Sequence, residues 1–157
     1  MRFTLINNIK QDKAMKLVLS GLLAFILIYI VSDVIVKYYS FGIFNSAIKT
    51  TLFGNEQEYI DPINKASFLE FWHTEIFFIM MILLTLSAVY IRLAKKSRLL
   101  LTNTLMISAI TSLVFIALSY FVSPFFINLY IATFFVWHVS ALYMISYSFW
   151  KLYDKSV

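Results

Sequence analysis

The chain has 157 residues, of which 61% are hydrophobic and 13% charged, with a formal net charge of +5 and no cysteine. A soluble domain carries roughly 25% charged residues, and one of about 150 residues leaves roughly 30% of its unfolded surface exposed. This composition excludes a soluble globular domain, a disordered chain and a coiled coil, and the missing cysteine excludes disulfides, thiol nucleophiles, iron–sulfur ligation and covalently attached haem.

Four apolar runs, over residues 17–36, 71–91, 99–122 and 125–150, each reach about the 20 residues that a helix needs to cross a ~30 Å hydrocarbon core. Apolar residues run without polar breaks through Ile76–Leu84, which argues against the alternating segments of a β-barrel. The sequence therefore predicts an all-α membrane protein: one integral domain over residues 1–157, folded as a four-helix transmembrane bundle. The basic residues Arg2, Lys10, Lys13 and Lys16 precede the first span, and no small-x-small site ends it, so it reads as a retained helix rather than a cleaved signal peptide. Asp33 and Lys37 form an i, i+4 pair at its outer end, expected to snorkel to the interface.

The loop over residues 38–65 is much longer than the others. Phe44, Ala47, Ile48 and Leu52 fall on helical spacing, with Asn45, Lys49 and Thr50 between them, which predicts an amphipathic interfacial segment. Gly54-Asn55 would stop it. Glu56–Asp61 reads as acidic and exposed. Asp61 as N-cap and Pro62 in the first turn predict that the second helix begins near Pro62. In that helix Glu70 and His73 share a face, and Glu75 lies about 200° further round. Met80 and Met81 offer soft thioethers suited to Cu(I), or ordinary core filling. A basic turn, Ala94–Arg98, leads to the third span, and Pro124 opens the fourth. Tyr38, Tyr39, Phe71, Trp72, Tyr90, Tyr120, Trp150 and Tyr153 fall at the depths of an interfacial aromatic belt.

Ten basic residues, set against Asp12 and Asp154, fall on the side of the termini and the second loop. The other side holds Lys37, Lys49 and Lys65 against Asp33, Glu56, Glu58, Asp61, Glu70 and Glu75. Cytoplasmic loops carry the excess of Lys and Arg, so both termini are expected in the cytoplasm of a cell whose inner membrane holds the protein.

Ionisable groups within spans are costly and are functional candidates. His138 lies near mid-membrane among Phe134, Phe135, Ala141, Leu142 and Ile145, a surround that suits b-haem ligation. An interhelical hydrogen bond to Ser108, Thr111 or Ser112 is the other reading. Trp-His recurs as Trp72-His73 and Trp137-His138. The first expectation is a small b-type cytochrome, or the haem-carrying subunit of a redox complex, with His73 and His138 as axial ligands of haem b between the second and fourth spans. Their depths differ by roughly 9 Å measured from the basic boundary, or about 4–5 Å measured from the two prolines. Asp33, Glu70 and Glu75 are candidates for a proton or ion relay.

Two other classes stay open. One is a non-catalytic accessory or assembly subunit with structural histidines, in a larger complex or a homo-oligomer. The other is a small ion, proton or metal transporter, disfavoured by scarce Gly and Pro because transporter sites commonly use broken helices. There is no Gly-x-Ser-x-Gly, His-Glu-x-x-His or phosphate loop, so a stand-alone enzyme is not expected. No basic, groove-facing element suggests nucleic acid.

Overall fold

Residues 13–94 and 99–154 are described by a computed structural model of the chain. Each apolar run is the centre of a longer helix. Helix α1 spans Lys13–Ser40, α3 spans Lys65–Leu93, α4 spans Leu99–Phe121 and α5 spans Phe126–Tyr153; the short α2, Asn45–Phe53, lies in the loop between α1 and α3. The shortest of the four long helices has 23 residues, about 35 Å at 1.5 Å per residue, enough to cross a bilayer. The protein is an all-α membrane protein with four spans and an amphipathic segment in its first long loop. The charged leader (Arg2, Lys10, Asp12), Lys95, Lys96 and Arg98 of the second turn, and Lys155 lie outside the described residues.

Consecutive spans alternate in direction. One end of the bundle, the loop end, carries α2; the other, the terminal end, carries Lys13 and Tyr153. Helix α5 is central, packing on α1, α2, α3 and α4, most extensively on α4. Toward the terminal end the core is apolar, built from Leu23, Ile30, Leu86, Tyr90, Leu105, Trp137 and Met144. At the loop end α2 buries Ile48 and Leu52 against Phe41, Phe68, Ile116 and Ile127, so it covers the bundle as well as lying along its surface. Tyr90 departs from the expected aromatic belt. It is fully buried beside Tyr147, because it falls on the inward stripe of α3 with Leu83, Leu86 and Leu93.

Local chemistry explains the boundaries. Gly54 ends α2 as expected: its φ is +78°, and a Cβ there would lie 2.7 Å from the Ile60 carbonyl oxygen, so only glycine fits. The start of α3 needs correction. Asp61 and Pro62 lie outside the helix, and the N-cap is Asn64, whose side-chain oxygen accepts from the Ser67 amide at 2.9 Å. Asn64 sits three residues before the amide it satisfies, which is the capping geometry. Pro124 is likewise corrected: it lies in the turn ahead of α5, whose N-cap is Phe125, and its carbonyl accepts from the Ile127 amide at 3.1 Å.

Candidate functional site

The inward face of α1 is the stripe Leu23, Ile26, Ile30, Asp33, Lys37. Its 3–4 spacing carries the ion pair into the bundle with the aliphatic residues. The expectation that Asp33 and Lys37 snorkel to the interface is thus corrected: they are 9% and 4% exposed. On α3 the stripe of Phe68, Glu75, Ile79, Ile82 and Leu86 turns the half-buried Glu75 inward. On α5 the stripe of Ile127, Tyr130, Phe134, His138, Ala141 and Ile145 does the same for His138.

The three stripes meet in one hydrogen-bonded cluster. Lys37 Nζ donates to Asp33 Oδ1 and Oδ2 at 2.9 Å each and to Glu75 Oε2 at 2.6 Å, using all three ammonium hydrogens. The same Asp33 Oδ2 lies 3.1 Å from His138 Nε2. His138 Nδ1 donates to the Phe134 carbonyl at 2.8 Å, since a carbonyl only accepts. The imidazole is clasped by Phe134 and Trp137, with ring centroids 4.0 and 3.8 Å away, and the Lys37 ammonium lies 5.1 Å from the Phe134 ring centre. A cation near a ring face is attracted to it. Tyr29 and Tyr130 lie beside the charges. The chain of contacts runs Glu75–Lys37–Asp33–His138 and ties α1, α3 and α5 together.

Of the three relay candidates, Asp33 and Glu75 are brought together through Lys37, and Glu70 is not. Glu70, His73, Phe77, Met80 and Leu84 form an outward stripe of α3, all exposed. No ion pair joins Glu70 to His73 among the described residues. The pair needed for a bis-histidine haem b is not assembled. His73 is on that outward stripe, and both ring nitrogens of His138 are engaged with Asp33 and Phe134. The interhelical partner of His138 is on α1 rather than α4, where the Ser108 and Thr111 hydroxyls bond back to carbonyls of their own helix. Met80 and Met81 are exposed. No group of three or more His, Cys, Asp or Glu stands ready to hold a metal among the described residues.

Lys37 is the member that sequence reasoning placed in the wrong environment. The signal was present in the spacing of residues 23, 26, 30, 33 and 37, which puts the pair on the aliphatic face.

A family model, Aq_1264_TM, described as a transmembrane helical domain, matches residues 42–156. Glu75 and His138 lie within the match, and Asp33 and Lys37 precede it on α1. No curated protein and no solved structure matches the chain.

Proposed function

The chain belongs to this family of transmembrane helical domains, and from that premise we propose that it is a proton-handling membrane protein whose site is the Asp33–Lys37–Glu75–His138 cluster. One observation carries the reading: four ionisable side chains, hydrogen-bonded in series, are held inside a bundle of apolar helices. Ionisable groups in that position mark proton and ion pathways. Asp33 and Glu75 are the carboxylates that accept and release protons. Lys37 holds them in place, and His138 is the acceptor at the far end of the chain.

The cluster sits in the loop-end half of the membrane. Asp33 lies seven residues from the end of α1, about 10 Å, and His138 lies 12 residues into α5, about 18 Å. Glu75 is its least buried member, at 14% side-chain exposure, and so is the natural point of proton entry. The Lys and Arg excess on the terminal side supports placing both termini in the cytoplasm, with the protein in an inner membrane.

The test is proton flux into proteoliposomes under an imposed potential, followed with an internal pH dye. The protein should dissipate the gradient, and Asp33→Asn or Glu75→Gln should slow it by about 100-fold, the scale of a lost proton-transfer group. Flux equal to that of empty liposomes would sink the reading and leave an accessory subunit held by a structural ion lock. The electron-transfer reading asks for a b-type absorption band, and it requires His138 to leave Asp33 and α3 to turn His73 inward.

A further inference from the structure

We infer that the exchangeable species at this site is a single proton held between His138 Nε2 and Asp33 Oδ2, and that Lys37 restricts the site to protons by filling the seat a metal cation would take. The inference deepens the proton-handling reading and rests on it for its use.

Hydrogen-bond chemistry locates the proton. The Phe134 carbonyl accepts from His138 Nδ1, so the Nδ1 hydrogen is spoken for. In a neutral imidazole with that tautomer, Nε2 is a bare lone pair. An ionised Asp33 is also acceptor-only. Two acceptors would then face each other at 3.1 Å, a repulsive arrangement. One proton on the line between them removes the conflict, whether it is written as imidazolium–carboxylate or as imidazole–carboxylic acid.

Charge counting independently calls for one proton in the cluster. Lys37 contributes one positive charge, and ionised Asp33 and Glu75 contribute one negative charge each. Without a further proton the cluster carries a net negative charge inside the membrane, where uncompensated charge is costly. One proton brings it to zero, and its release returns the cluster to −1, so charge balances in each direction. Among the described residues no other charged group alters the sum. Around His138, α1 presents Asp33, Lys37 and the Tyr29 phenol, α3 presents Glu75, and α5 adds the Tyr130 phenol. Helix α4 contains no Asp, Glu, Lys, Arg or His, and Lys49 of α2 is exposed.

The choice of cation follows from Lys37. Its ammonium sits between the two carboxylates and donates to three of their oxygens. Those are the oxygens that Na⁺ or a divalent ion would need, since hard cations take oxygen ligands.

The test is nitrogen NMR of the full chain in lipid nanodiscs with ¹⁵N-histidine, assigned with His73→Gln because the chain holds two histidines. His138 Nδ1 should carry a proton. Nε2 should show one shared proton at neutral pH, and saturating Na⁺, Ca²⁺ or Zn²⁺ should move neither signal. The opposite tautomer at His138, or a bare Nε2 at neutral pH, would overturn the placement of the proton. A shift on adding a metal cation would overturn the role of Lys37. Absent flux with the NMR signature intact would remove the transport reading alone; flux without the signature would remove this inference alone.

Discussion

Helices α3 and α5 each carry a Trp-His step, Trp72-His73 and Trp137-His138. In α3 the half-buried Trp72 donates its indole N–H to the Leu113 carbonyl of α4 at 2.9 Å, and His73 faces outward with Glu70 and Phe77. In α5 Trp137 is fully buried, its indole nitrogen has no acceptor among the described residues, and His138 is locked between Asp33 and the Phe134 carbonyl. The difference is one of phase. His138 follows Ile127, Tyr130 and Phe134 on the inward stripe of α5, whereas His73 follows Glu70 on the outward stripe of α3. A helix turns 100° per residue, so the dipeptide carries no environment of its own; its register against the apolar face decides what the imidazole meets.

The largest expected effect comes from removing what makes the α5 step ionic. Lys37→Met keeps the apolar stem and deletes the charge between Asp33 and Glu75. Breaking a buried ion pair from one side costs about 3–5 kcal/mol, because the remaining charges are left uncompensated. Thermal unfolding in nanodiscs should show a loss of that size, and Lys49→Met, at an exposed position of α2, should show almost none. Equal stabilities for the two variants would mean that the cluster does not hold the bundle together, and would erase the contrast between the two Trp-His steps.

A smaller effect tests how α3 is set in register. Asn64→Ala removes the side-chain oxygen that caps the helix and should cost about 1 kcal/mol, seen as faster amide exchange at Ser67. Asp61→Ala should leave that exchange unchanged, since Asp61 is exposed and lies outside the helix. The reverse result would restore the earlier helix start.

The four spans were legible because continuous apolar runs of about 20 residues have one reading in a helical protein. The stop at Gly54 was legible because glycine alone takes a positive φ without steric cost. The N-cap at Asn64 was not legible, because Asp61-Pro62 fits the N-cap pattern as well and only the three-dimensional path of the loop separates the two. The candidate residues Asp33, Glu75 and His138 were legible from the cost of charge in a span. Their assembly was not, because Lys37 was assigned by its depth near the end of α1 instead of by its place on the stripe from Leu23 to Asp33. Pairing across 105 residues, as between Asp33 and His138, depends on which helices neighbour one another, and hydropathy does not encode that.

The smallest effect belongs to the other imidazole. His73→Gln replaces an exposed side chain that makes no hydrogen bond or ion pair among the described residues, and substitutions at such positions usually stay within about 0.5 kcal/mol. Thermal stability and proton flux should both match the unaltered protein. The near-zero result is informative because a bis-histidine cofactor would depend on His73 as strongly as on His138, whereas a proton shared between His138 and Asp33 does not involve it. A large loss of flux or of stability on this substitution would mean that α3 presents His73 inward, and the two Trp-His steps would then be equivalent after all.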